Sequence, residues 1–197
     1  MTYDEFYKSD YADMKNAEKR LLSLIDVYRT QFEEDYDLQP IIYTCSRIKK
    51  PKRMLEKLRC RGLPQTLEVA LNEVYDAIGI RAVCAFVDDV YRLVNWLRGR
   101  DEIEIIIEKD YYAKPKPNGY RSYHIIVRIT AESGKNFFAE LQIRTIASDF
   151  WAALEHRLKY KKDIPHEAII REELERCAFE IVSVDASMQA IRDLLKE

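Results

Sequence analysis

Glycine is scarce in this chain, five residues in 197, and none follows Gly134. The glycine-rich signatures that cradle nucleotide phosphates are missing. With neither a GxxxxGK[ST] loop nor a GxGxxG turn after a strand, P-loop and dinucleotide-binding folds are excluded. The four cysteines, Cys45, Cys60, Cys84 and Cys177, form no CxxC pair and no cysteine–histidine cluster, so neither a zinc site nor a disulfide framework is indicated. They read as reduced, small apolar residues of a cytoplasmic protein. No apolar run approaches the length of a membrane span. The opening MTYDEFYKSDY carries acids where a signal peptide needs a basic start. Strong net charge is also lacking. At −2 it argues against a surface built to grip long nucleic acid.

What is present is an ordinary globular composition, 47% hydrophobic and 34% charged, in a chain long enough for one domain with an appended helical element. Charge is unevenly placed. Between Arg47 and Arg61 stand eight basic residues and one acid, Glu56. A basic concentration in a near-neutral protein suits a small polyanion such as a nucleotide phosphate better than a duplex.

Taken in order, Thr2 to Glu5 fits a capping box, and Met14, Ala17, Leu21, Leu24, Ile25, Tyr28 and Phe32 recur at helical spacing, predicting one long helix that ends before Pro40. Ile41 to Lys49 reads as a strand carrying Arg47 and Lys49. Pro51 can open a helix through Leu58 that stops at Gly62, its first turn crowded with cations that an anion would relieve. Thr66 is expected to cap a short helix, and Ile78 to Val87 is a buried strand just after Asp76. Asp88 is expected to cap a helix closing at Gly99, and Ile103 to Ile107 is a further strand. From Ile146 to Tyr160 a helix is expected to gather Phe150, Trp151, Leu154 and Leu158 on its apolar side, with Asp149 and His156 opposite. His156 reads as structural. Pro165 suits the first turn of a last helical segment, 165–197, whose apolar stripe (Ile169, Leu174, Cys177, Ile181, Met188, Ile191, Leu195) packs on the domain or on another subunit. The preceding unit is 1–164. The pattern predicts an α/β (α+β) fold, a mixed sheet of about five strands flanked by helices.

Two stretches concentrate the chemistry. In KDYYAKPKPNGYRSYHIIVR (109–128) a basic, proline-broken loop leads into an alternating run, expected to place Tyr120, Ser122 and His124 along one strand on one face. In FFAELQIRT alternation puts Phe138, Glu140, Gln142 and Arg144 on one side, and Phe137, Ala139, Leu141 and Ile143 on the other. Asp76 and Glu140 sit where an isolated charge would be costly, and a magnesium ion held by both would account for them, as would two unrelated salt bridges. With the cations Arg47, Lys49, Lys57, Arg81 and Lys116, and Tyr120 as a flat surface for a base, the set points to chemistry on nucleoside polyphosphates.

The motifs SRIKKPKRMLEKLRCRG, DAIGIR, KPKPNGYRSYH, and ELQIRT followed by FWAALEHRLKYK, spread from about Ile41 to Lys161, resemble the synthetase domain of the RelA/SpoT family. The match is to its single-domain small alarmone synthetases, which share a nucleotidyltransferase-like fold. The resemblance implies transfer of pyrophosphate from ATP to the 3′-hydroxyl of GDP or GTP, giving the alarmones of the stringent response and AMP. It implies that Arg47 and Arg81 hold adenine and that Lys49 and Lys57 contact the ATP phosphates. Asp76 and Glu140 would coordinate Mg2+, with Glu140 also accepting the hydroxyl proton. Tyr120 would stack on guanine, Lys109, Lys116 and His124 would bind the acceptor phosphates, and Gln142 and Asp149 would lie near its sugar and base. It also implies a homo-oligomer, by precedent a tetramer. Without an HD-type hydrolase segment the expectation is synthesis alone.

Three positions depart from the pattern: Arg53 in place of serine, Lys109 in place of arginine, and Asp149 in place of asparagine, where a negative charge could alter acceptor choice. Two alternatives stand beside this reading. Toxic relatives pyrophosphorylate adenine nucleotides or the tRNA 3′ end, against which the tail lacks a second basic surface. A non-catalytic nucleotide sensor is the other, against which Asp76, Glu140 and Tyr120 are all present.

Overall fold

The computed structural model describes residues 1–33, 39–159 and 166–195. Five strands form one sheet, β1 (Ile41–Ile48), β2 (Ile78–Cys84), β3 (Ile103–Asp110), β4 (Tyr123–Thr130) and β5 (Asn136–Thr145), in the order β1-β2-β5-β4-β3. Only β2 and β5 pair in parallel; the other neighbours are antiparallel. The expected mixed α/β sheet with flanking helices is therefore present.

The helices lie mainly on one face. α2 (Asp10–Glu33) and α5 (Val87–Arg98) supply Met14, Leu21, Ile25, Leu93 and Leu97 to a core completed by Ile78, Ile80, Val127, Ala139 and Leu141 from the sheet. The three central strands β2, β4 and β5 give every second residue to this core, the period expected for a sheet with one apolar face, while the edge strands bury only Ile41, Ile48 and Ile103. The expected long first helix is instead broken. α1 (Tyr3–Tyr7) is capped by the Thr2–Glu5 box, and Lys8, with φ 53°, ends it before α2 begins. The break lets the Tyr3 and Tyr7 hydroxyls donate to the carbonyls of Ile48 and Lys49, at 3.3 and 2.6 Å, which anchors the end of β1.

α3 (Pro51–Cys60) starts at its proline as expected, and Thr66 Oγ1 accepts from the Val69 amide to cap α4 (Leu67–Glu73). For α5 the expectation needs correction. Its cap position is Phe86, whose amide donates to Asp89 Oδ2 at 3.2 Å, while Asp88 lies inside the first turn.

The largest differences come after β5. On α6 (Ile146–Lys159) Trp151 is buried, but Phe150, Leu154 and Leu158 are exposed and Asp149 is buried. The apolar side faces outward because the sheet face beneath α6 is polar, so Asp149 finds its partners there. α7 (Glu167–Leu194) likewise turns Ile169, Met188, Ile191 and Leu195 to solvent and buries Ala178, Asp185 and Arg192, which recur every two turns. Leu174, Cys177 and Ile181 of the expected stripe do pack, against Trp151 and Ala178. Pro165 lies outside the described residues.

Leu93 is fully buried between α5 and the sheet. Leu93→Ala should lower unfolding free energy by about 2–5 kcal/mol, measured as a shift of the urea midpoint at constant slope.

Candidate active site

Strand register builds the site. Opposed residues on neighbouring strands share a face, so two rows cross the sheet away from the core: Lys109, His124, Gln142, Arg81 and Cys45, and beside it Ile126, Glu140, Gly79 and Arg47. Gly79 leaves the second row low in the middle. Arg47 lies across it, its Cγ 3.7 Å from where a Cβ would stand.

Asp76, in the turn before β2, is held by two ammoniums, Lys49 Nζ on Oδ2 and Lys57 Nζ on Oδ1, each at 2.8 Å. Two cations on one carboxylate, one from the end of β1 and one from the last turn of α3, leave net positive charge there, a setting that attracts phosphate. Burial pushes the Asp76 carboxyl up, but the hydrogen bonds and charges of Lys49 and Lys57 outweigh it and hold the group below its ordinary value.

Glu140 accepts from Gln142 Nε2 at 2.8 Å and faces His124 Nδ1 at 3.3 Å. Burial raises its carboxyl, the His124 and Gln142 contacts bring it below the usual range, and the charge of Asp76 acts upward on it. Both carboxylates line one small cavity. Beyond Glu140 the contacts close a ring: His124 Nε2 meets the Tyr120 hydroxyl at 2.8 Å, Arg144 Nη2 donates to that hydroxyl at 2.9 Å and to Gln142 Oε1 at 2.7 Å. Burial raises the Tyr120 hydroxyl, keeping it a neutral phenol. Lys116 Nζ stands 4.8 Å from the ring centroids of both Tyr111 and Tyr120.

Asp149 joins this ring to Arg81. Its Oδ1 is 3.1 Å from both Arg81 Nη1 and Arg144 Nη1, and its Oδ2 accepts from the Tyr43 hydroxyl at 2.6 Å. Burial and that bond push the Tyr43 hydroxyl up to about 12, so it stays a donor. The Nε atoms of Arg81 and Arg144 are buried with no hydrogen-bond partner among the described residues, leaving unused donors in the wall of the site.

Two cavities share Arg47, Arg81 and Gln142. The larger, about 860 Å³, is also lined by Lys116, Tyr120 and His124; the smaller, about 70 Å³, also by Asp76, Gly79 and Glu140. Other expected site residues stand back from these linings. Lys49 and Lys57 are engaged with Asp76, Lys109 is exposed on β3 opposite His124, and Asp149 is enclosed by its donors. Arg53 pairs with Glu56 at 2.9 Å along α3. Tyr120 and Ser122 lie before the strand, and only His124 of the three is on it, although the Ser122 hydroxyl does act on the Tyr120 hydroxyl. β4 starts at Tyr123, and the fully buried Ser122 hydroxyl donates to the Ile143 carbonyl at 3.1 Å, because the loop must be tied to β5 before the strand begins. His156, expected to be structural, is an exposed residue lining the larger cavity.

Sequence reasoning missed Arg144, Tyr43, Asn118 and Arg157 as site residues. The β5 alternation already put Arg144 beside Glu140 and Gln142, and Tyr43 shares the period of Cys45 and Arg47. Asn118 accepts from the Tyr120 amide and donates to Glu155 Oε1 at 2.8 Å, a long-range contact with no local signal. Among the described residues no group of three or more His, Cys, Asp or Glu is arranged to hold a metal. Two carboxylates lining one small cavity beside a phosphate-attracting patch fit a magnesium ion, which would keep water and substrate oxygens as its remaining ligands.

Comparison with known proteins agrees with this geometry. The family model described as "Region found in RelA / SpoT proteins" matches residues 46–165. GTP pyrophosphokinase YwaC of Bacillus subtilis is 34% identical over 204 residues, covering 98% of this chain and 96% of that protein. A GTP pyrophosphokinase family protein from Streptococcus pneumoniae superposes with a TM-score of 0.86 at 34% identity, covering 99% of this chain and 96% of the other. The small alarmone synthetase 1 of Bacillus subtilis, solved bound to its product pppGpp, gives 0.83 at 33% identity, with coverage of 94% and 96%.

The depressed Asp76 carboxyl has a stability consequence. Between its folded value and the unfolded value of about 4 the unfolded chain binds more protons. Its contribution is therefore full above about pH 4 and fades as pH falls through the folded value. Asp76→Asn should flatten the dependence of the urea midpoint on pH below about pH 4; an unchanged slope would contradict the lysine pairing.

Proposed function

Because the chain belongs to the family defined by the region found in RelA/SpoT proteins, we propose that it transfers pyrophosphate from ATP to the 3′-hydroxyl of GDP or GTP, releasing AMP. The observation that carries this reading is that Asp76 and Glu140 line one small cavity whose wall is shared with the cavity lined by Tyr120. The acids are thereby set between a guanidinium-rich half and an aromatic half.

In this reading Arg47 and Arg81 sandwich the adenine, and their planar groups suit that stacking as lysine would not. Lys49 and Lys57 turn from Asp76 toward the ATP phosphates. Guanine stacks on Tyr120, while Lys116, Lys109 and His124 meet the acceptor phosphates. The 3′-oxygen forms a bond to the β-phosphorus, the bond from that phosphorus to the α–β bridging oxygen breaks, and AMP carries the oxygen away. Glu140, oriented by Gln142 and His124, takes the hydroxyl proton and passes it to solvent. Magnesium, for which Asp76 and Glu140 are the ligands on offer, supplies neutralisation of polyphosphate charge when bound. Asp149, its charge matched by Arg81 and Arg144, keeps the donor arginine aligned with the acceptor ring. Positioning and charge stabilisation then supply most of the rate, with no covalent intermediate.

Incubation of the protein with labelled ATP, magnesium and a panel of GMP, GDP, GTP, adenine nucleotides and tRNA tests the reaction. AMP release with GDP or GTP is expected, and turnover confined to adenine nucleotides or tRNA would replace this reading. Glu140→Ala, which removes a charge from the polar face, should lower kcat about 10²–10⁴-fold with the urea midpoint little changed.

The row Ile146, Phe150, Leu154 and Leu158, all exposed at four-residue intervals on α6, supports a second copy of this chain as partner. A tetramer is the state the resemblance implies. Sedimentation should give an oligomer for the wild type and a smaller species for Phe150→Asp; a wild-type monomer at all concentrations would end that part of the proposal.

A further inference from the structure

The loop that carries Lys116 and Tyr120 does not stand alone. It rests on α7 at one close contact, between Gly119 and Ala178. Gly119 has φ +81°, and a Cβ there would come 2.4 Å from the Ala178 Cβ, 3.6 Å from the Glu175 carbonyl oxygen and 3.8 Å from the Glu175 Cα. The loop backbone therefore lies against the helix, which requires glycine on one side and a side chain no larger than alanine on the other. Ala178 is 3% exposed, whereas its neighbour Phe179 is 56% exposed. The residue after the contact, Tyr120, packs with Trp151 and Ala178 in a small cluster apart from the main core.

Other contacts fix the height of this seat. The Trp151 indole donates to the Leu174 carbonyl at 2.9 Å, and the Arg121 guanidinium lies 5.6 Å from the Phe179 ring centroid. Further along α7, Asp185 accepts from Thr145 Oγ1 at 2.7 Å, and Arg192 makes paired bonds of 2.8 and 2.7 Å to Asp88. The helix is thus tied to the end of β5 and to the first turn of α5. It cannot shift under the loop without breaking buried polar contacts.

We propose that Ala178 is a positioning residue for the acceptor half of the site. Through Gly119 it sets where the Tyr120 ring and the Lys116 ammonium stand above His124, so the C-terminal helix determines acceptor affinity while leaving the donor half alone. The inference rests on the assignment of Tyr120 to the guanosine acceptor made above.

The test compares wild type with Ala178→Leu, with Ala178→Gly as the variant that keeps the seat clear. In Ala178→Leu the added atoms push the loop outward, so the KM for GDP should rise about tenfold, with the KM for ATP within twofold and kcat at saturating GDP largely kept. Ala178→Gly should keep the wild-type GDP value. A folded Ala178→Leu with unchanged GDP KM overturns the proposal, as does an equal rise for ATP. If Ala178→Leu does not fold, Phe179→Ala decides, because that exposed ring can be removed safely. Loss of the Arg121 contact should raise the GDP KM about twofold, and no change overturns the seat. Direct titration with GDP separates the two layers. A wild type that binds GDP but releases no AMP sinks the reaction, whereas equal GDP Kd in wild type and Ala178→Leu sinks the positioning role.

Discussion

The pairing of β2 with β5 is the constraint on which the site depends. It places Gly79 opposite Glu140 and Arg81 opposite Gln142, and the flanking antiparallel pairs carry the same rows out to Arg47 on one side and His124 on the other. A slip of one residue would turn Glu140 into the core and Leu141 outward, exchanging the two faces of β5. The apolar residues that alternate with the polar ones therefore do more than fill the core. Burying Ala139, Leu141 and Ile143 against Ile78, Ile80 and Ala82 fixes, by the same register, which acids and arginines meet on the far side.

On that far side the polar groups satisfy one another before any ligand arrives. The ring through Glu140, His124, Tyr120, Arg144 and Gln142 gives each side chain a fixed orientation, and Asp149 ties it to Arg81 and Tyr43. Such a network is costly if incomplete, since half-buried charges without partners would lose hydration for nothing. When complete, it lowers the reorganisation a bound polyphosphate must drive, which is where a pyrophosphate-transfer site gains most. Asp76 works differently. Its two lysines hold it between two ammoniums with a charge surplus of one, so this corner of the site carries net positive charge of its own.

The sequence was legible wherever one period governs. The strand alternation of Phe137 to Arg144, the Thr66 cap, the proline start of α3 and the two-sided character of β5 could be read directly, because each depends on residues within a few positions of one another. The chemical character of Asp76, Glu140, Arg47, Arg81 and Tyr120 was legible, while their convergence on two adjoining cavities required the register of strands far apart in the chain. The stripes of α2 and α5 are buried as read, and the reading that failed was the one that put Phe150, Leu154 and Leu158 of α6 inside and Asp149 opposite them. On α6 and α7 many apolar residues, Phe150, Leu154, Leu158, Ile169, Met188 and Ile191 among them, face outward and Asp149, Asp185 and Arg192 face in, because the surfaces those polar groups meet, the polar sheet face, the Thr145 hydroxyl and Asp88, are themselves polar. Periodicity locates a face; only the partner decides which face is inside.

That inversion explains how the C-terminal helix can belong to the site. A helix docked by a continuous apolar face could slide or rotate by small amounts at little cost, since such contacts are non-directional. α7 is held instead by directional contacts at Leu174, Asp185 and Arg192, with the Gly119 and Ala178 contact between the first two. Directional ties fix both the height and the rotation of the helix, and a loop with positive φ at its only glycine can follow no other course past it. The scarcity of glycine is part of the same constraint. With a single flexible position in the stretch from Lys109 to Arg128, the aromatic platform at Tyr120 is set by packing against a fixed helix and not by the freedom of the loop.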